Sequence, residues 1–166
     1  LYKTRTGGTY QPLSFTDFRE KVYAFGTCLL DRGFLGCRMA VIGENRWQWV
    51  LTYLAVANGL GTIVPLDKEL PSHEIAALIK RSSLTAITYS AKVSGRLTEA
   101  MELLAAEGYD TASITLISMD EVPEGVSALN QPALIEEGLR LREAGRTAYD
   151  TLPIDANEMR VLLFTS

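Results

Sequence analysis

The chain has 166 residues, 47% of them hydrophobic and 22% charged, with a formal net charge of −4. That is enough chain for one compact domain with its own core. A mildly acidic surface without a basic cluster argues against nucleic-acid binding, and no apolar run reaches the roughly 18 residues that a membrane span requires.

In chain order, residues 2–5 and 9–12 flank Thr6-Gly7-Gly8-Thr9 and read as a short hairpin at the domain edge, since Pro12 excludes its strand from the middle of a sheet. Ser14 caps the next helix. Phe15, Phe18, Val22, Phe25 and Leu29 follow at steps of three and four, a stripe expected to face the core, and the helix ends near Gly33.

The stretch Cys37–Asp67 organises the rest. An apolar strand over 38–42 is followed by Gly43-Glu44-Asn45. Next comes a helix with Asn45 expected as its cap and Gln48 completing a capping box, then Gly59 as terminator and a second strand over 62–64. Two buried strands around one helix form a right-handed βαβ unit and imply a parallel sheet. Trp47 and Trp49 lie two apart on this helix and must point in different directions.

Pro65–Leu70 is expected as loop and Pro71-Ser72 as a helix start. Then follow a strand over 84–89, a helix over 93–106, a strand over 113–119 and a loop over 121–130. A helix over 132–141, a loop over 145–153, one turn over 155–158 and a last strand over 159–164 complete the chain. Helices alternating with short buried strands predict a three-layer α/β fold: a mainly parallel sheet, helices on both faces, and the N-terminal hairpin.

Little catalytic chemistry is visible in these residues. Gly43 stands alone after its strand, and Gly59-Leu60-Gly61 follows a helix, so the dinucleotide fingerprint is absent. No Gly-Lys-Ser/Thr phosphate loop or Gly-x-Ser-x-Gly elbow occurs. His73, the single histidine, has no cysteine or second histidine beside it and reads as a solvated helix-start residue. Cys28 and Cys37 suit neither a disulfide framework nor a zinc knuckle and read as small buried hydrophobes in a reduced, cytoplasmic protein. Asp67-Lys68-Glu69 is either a solvated turn or part of a ligand site beyond a strand end. No catalytic residue and no metal ligand is assigned.

Five pieces carry a family resemblance: Leu13-Ser14-Phe15-Thr16-Asp17-Phe18, Met39-Ala40-Val41-Ile42, Asn45–Trp49, Gly59–Asp67 (GLGTIVPLD) and Asp155–Ser166 (DANEMRVLLFTS). In this order and spacing the chain resembles the N-terminal part of an AMP-forming acyl-CoA synthetase of the long-chain fatty-acid–CoA ligase type, in the adenylate-forming superfamily. Gly36-Cys37 departs from the family's usual Gly-Asp, and Glu44 from its usual Pro. The resemblance implies that residues 1–166 form an N-terminal subdomain ending where the phosphate-binding loop begins, with Thr165 and Ser166 as the first nucleotide-binding residues. It implies a ligase of fatty-acid and lipid metabolism that uses ATP, Mg²⁺ and coenzyme A on a small carboxylate, with the remainder of the same polypeptide as partner. A homodimer through the exposed subdomain surface is a further expectation. The alternatives are a non-enzymatic α/β binding or scaffold module and a peptide-synthetase adenylation domain.

Overall fold

The computed structural model describes residues 2–6 and 9–164, with side chains from Pro12 onward. Strands β1 (Tyr2–Thr6) and β2 (Thr9–Leu13) pair antiparallel from Tyr2↔Leu13 to Thr6↔Thr9. They form a two-stranded unit of their own, where Pro12 costs no ladder bond to a further strand. The expected Gly7-Gly8 turn lies outside the described residues.

The main sheet has the order β4-β3-β5-β6-β7, all pairs parallel. Its strands are β3 (Cys37–Ile42), β4 (Gly61–Leu66), β5 (Ala86–Tyr89), β6 (Thr115–Ser118) and β7 (Leu129–Asn130). Side chains alternate across it. Met39, Val41, Ile63, Ala86 and Ile117 pack with helices α1 (Phe15–Asp31), α2 (Trp47–Ala55) and α5 (Gln131–Glu143). Ala40, Ile42, Val64, Leu66, Ile87 and Tyr89 pack with α3 (Ser72–Ser82) and α4 (Ser94–Ala106). Apolar residues on both sheet faces require helices on both faces, which is the expected three-layer arrangement.

Several local expectations are corrected. Phe15, first of the aromatic stripe, is 72% exposed, while Phe18, Val22, Phe25 and Leu29 are buried. Phe15 lines a surface groove with Val50 and Leu54 instead. The α2 cap is Arg46, not Asn45, and it makes no side-chain capping bond. Helix α2 continues through a π turn at Val56–Leu60, which Gly59 closes at φ 106°, the left-handed region expected of it.

Pro65 and Leu66 belong to β4, whereas the last expected strand shrinks to a single parallel bridge, Ile63↔Val161. One cause explains both. The Ile63 N–H donates outward to the Arg160 carbonyl (2.9 Å), and the Ile63 carbonyl accepts from the Leu162 N–H (3.0 Å). Two residues on, Pro65 faces the same outer edge and has no N–H, so β4 runs on against β3 while the outer ladder stops.

The expected loops at 121–130 and 145–153 each hold structure. The first contains β7, and Asn130 then caps α5 by accepting from the Ala133 N–H (3.0 Å). The second contains a 3₁₀ turn, Ala148–Thr151, that buries Tyr149. Its hydroxyl donates to the Ala55 carbonyl (2.7 Å), and its ring fills the space over Gly26. Helices α1 and α5 cross so closely that a Cβ on Gly138 would lie 1.9 Å from the Ala24 carbonyl oxygen.

Gly138→Ala therefore forces the α1–α5 crossing apart and should cost about 1–3 kcal/mol in urea unfolding. Gly95→Ala, at an exposed helical site with open space around it, should gain about 0.5–1 kcal/mol. Equal effects at the two positions would contradict the close crossing.

Candidate functional site

The connection β3–α2–β4 places β4 on one side of β3, and β4–α3–β5 carries the chain back to the other side. The chain thus leaves the carboxyl ends of β3 and β5 in opposite directions, which marks the crevice position where ligands usually bind in open parallel sheets. Residues 43–46 and 90–92 follow the two strands at that position. The Ser90 N–H donates to the Ile42 carbonyl at the base (3.1 Å). A Cβ on Gly43 would meet Ser90 Oγ at 2.9 Å, so only glycine lets the two loops come this close.

Two ion pairs frame this position. Glu44 pairs with Lys92 at 3.3 Å. Burial pushes the Glu44 carboxyl up, but the Ser90 hydroxyl, its own backbone and Lys92 together hold it below the ordinary carboxylate range. Arg46 donates to Asp120 Oδ1 at 2.7 Å and to Gln48 Oε1 at 3.0 Å. Asp120 Oδ2 accepts from the Ala91 N–H (2.8 Å), and the Asp120 carbonyl accepts from Asn130 Nδ2 (2.7 Å). The exits of β3, β5, β6 and β7 are thereby joined through one aspartate.

At the end of β4, the Asp67-Lys68-Glu69 triplet forms a tight turn. Asp67 Oδ1 accepts from the Glu69 N–H (2.8 Å), Lys68 pairs with Glu69, and Arg96 donates to the carbonyls of Lys68 and Leu70. Next to it is a cleft of about 400 Å³ lined by Leu66, Asp67, Leu70, Glu74, Leu78, Arg81 and Phe164. The described course of the chain ends in the wall of this cleft. Thr165 and Ser166, the sequence-predicted nucleotide-binding residues, lie outside the described residues.

His73 is exposed in the first turn of α3, and the described residues hold no cluster of three or more metal-ligating side chains. Cys28 and Cys37 are free and buried. Burial, aided at Cys28 by Glu137, pushes their thiols up to about 11 and about 12. Trp47 and Trp49 are half-buried, and Trp49 stacks on Tyr53 at 5.7 Å between ring centroids. Sequence reasoning missed Arg46, Ser90, Lys92 and Asp120. Each sits just past a strand, a positional signal that was readable, but their pairing depends on strand order.

A protein-family model described as "AMP-binding enzyme" matches residues 2–166. No curated protein sequence matches significantly. Among solved structures, the chain is similar to an acyl-CoA synthetase from Brucella canis (TM-score 0.68, 17% identity, 96% of this chain and 27% of that one). It is also similar to coronafacic acid ligase from Pectobacterium brasiliense (0.69, 18%, 93% and 29%). A third is the luciferase-like enzyme from the mealworm Zophobas morio (0.73, 12%, 96% and 34%). The chain thus spans about a third or less of the length of these structures, and at such identities the likeness is one of fold.

Asp120→Ala removes the carboxylate that pairs with the partly buried Arg46 guanidinium and accepts from the Ala91 N–H, and should cost about 1–3 kcal/mol in urea unfolding, with Asp120→Asn recovering part of the loss. A neutral Asp120→Ala would contradict the frame. A depressed Glu44 value stabilises the fold above the ordinary carboxylate range, and the contribution disappears as pH falls through the folded value. Carboxyl-carbon NMR titration should place Glu44 below its ordinary value, and Lys92→Met should shift it upward. An unshifted Glu44 in both proteins would contradict the pairing.

Proposed function

The chain belongs to the AMP-binding enzyme family, and from that premise we propose that it is the N-terminal subdomain of an ATP-dependent acid–thiol ligase. In the full-length protein a carboxylate oxygen of the substrate attacks the α-phosphorus of ATP, giving acyl-adenylate and releasing pyrophosphate. The coenzyme A thiol then attacks the acyl carbon, and AMP leaves. The observation that carries this reading is the family match over residues 2–166.

Thr165 and Ser166 begin the phosphate grip in this proposal. Support comes from the path of the segment before them. Thr62 Oγ1 donates to the Met159 carbonyl (2.8 Å), and the two Ile63 bonds align residues 160–162 with β4. The segment therefore runs toward the carboxyl end of the sheet, where Phe164 meets Leu66 and Asp67 at the cleft. In this proposal the hydroxyls that follow Phe164 in sequence serve the charge that develops on phosphate oxygens.

Mg²⁺, when bound with ATP, supplies further charge neutralisation at those oxygens. The described residues do not fit a magnesium site of their own. The carboxylates Glu44 and Asp120 are already engaged by Lys92 and Arg46.

A fatty acid is the acyl substrate we favour, on the resemblance of the sequence to the long-chain type, together with a cytoplasmic location. No helix among the described residues is long and apolar enough to cross a membrane. Ile154 and Leu163 are 63% and 65% exposed. We assign their cover to the remainder of the polypeptide, and a second copy of the subdomain is the cover expected when that remainder is missing.

The full-length protein should catalyse carboxylate-dependent ATP–pyrophosphate exchange and form acyl-CoA when coenzyme A is added, while residues 1–166 alone should give no exchange above a blank. Exchange by the isolated segment, or none by the full-length protein across short, aromatic and long-chain acids, would overturn the proposal.

A further inference from the structure

Residues 47–66 include no charged side chain. Helix α2 lies within that stretch, with Leu51, Thr52 and Ala55 buried. Its other side carries Trp49, Val50, Tyr53 and Leu54, and Ala57 follows one turn on. Steps of three and four put these five positions on one stripe. Val50 is 41% exposed, and the other four are half-buried.

The remaining helices behave differently. Glu20 on α1, Lys80 on α3, Glu102 on α4 and Glu136 on α5 are all exposed. Each of these helices turns an apolar side to the core and a charged side to water, as a surface helix does. Helix α2 is apolar on both sides, the pattern of a helix with protein on both sides.

The stripe also forms one wall of a trough of about 520 Å³, whose other wall is Phe15, Phe18 and Val22 of α1. Phe15 stands at its mouth, 72% exposed. The exposed charges nearby on α1 are Asp17, Arg19 and Glu20, a net −1. Faces that settle on lipid are rich in Lys and Arg, so this rim does not suit a membrane surface.

We propose that the α1–α2 face is an interior surface of the full-length protein, covered by an apolar layer of the polypeptide that follows residue 166. This rests on the subdomain reading above. The chain accounts for 27%, 29% and 34% of the three similar structures, so a protein of their length has ample further chain to supply the layer. Helix α2 is then a middle-layer helix, between the sheet and the added layer, and Phe15 and Val50 lie inside the joint.

The test reads thiol accessibility in the full-length protein. Cys28 and Cys37 are buried, so single cysteines placed at Phe15 and Val50 report on this face, and Glu102→Cys on the exposed side of α4 is the reference. Iodoacetamide labelling followed by peptide mass spectrometry should find Phe15→Cys and Val50→Cys modified at least about tenfold more slowly than Glu102→Cys.

Labelling of both at the rate of Glu102→Cys overturns the proposal. So does protection that disappears as a dimer dissociates on dilution, followed by light scattering, because the cover is then a second copy. Protection that needs added phosphatidylglycerol vesicles overturns it too, because the cover is then a lipid surface. Protected cysteines in a protein without ATP–pyrophosphate exchange keep the covered face and remove the ligase reading. Exchange with freely labelled cysteines does the reverse.

Discussion

Asp120 holds together the carboxyl edge of the sheet. Its carboxylate takes one bond from Arg46 and one from the Ala91 backbone, and its carbonyl takes one from Asn130. Each donor belongs to a different strand exit. Parallel strands leave their connecting loops independent of one another at the carboxyl edge, and a charged acceptor shared among them sets their spacing. The loops that follow β3 and β5 keep their spacing because Gly43 lets the Ser90 loop approach on one side and Asp120 anchors that loop on the other.

Much of the fold was legible in the sequence because it rests on local pattern. The continuous apolar run Met39–Ile42 in β3, the Ser14 cap and the Gly59 turn are local signals, and local signals survive without tertiary information. The misreadings share a different origin. Pro65 looked like a loop residue because a proline normally stops a strand. It is admitted here because its missing donor faces the open outer edge. Asn45 looked like the better cap by side-chain chemistry, but Arg46 takes that position and is drawn by Asp120, 74 positions along the chain. Phe15 has the right helical phase and still lies on the surface, in a groove shared with α2.

Tyr149 shows why long-range packing stays hidden. In sequence it lies in a stretch of loop composition. In space its ring takes the room left by Gly26, its hydroxyl satisfies the Ala55 carbonyl, and its edge meets Tyr23 at 5.9 Å. Arg142 locks the same corner by pairing with Asp150 and lying over the Tyr23 ring. The partners of Tyr149 are far from it in sequence, Ala55 by 94 positions, so no spacing rule could have revealed them. The candidate site divides in the same way: the strand exits follow from the pattern, whereas the Glu44–Lys92 and Arg46–Asp120 pairs required the strand order. Thr165 and Ser166 stand out in the sequence as hydroxyls after an apolar run, and their nucleotide role came from family resemblance.

In the proposed ligase the nucleotide is gripped just beyond the segment that runs alongside β4. The most direct measurement is the specificity constant for ATP of a full-length protein with both Thr165 and Ser166 replaced by alanine. Loss of donors aimed at transition-state charge predicts a fall of roughly a hundredfold or more, with the fold intact by circular dichroism. A double variant that uses ATP as well as wild type would contradict it.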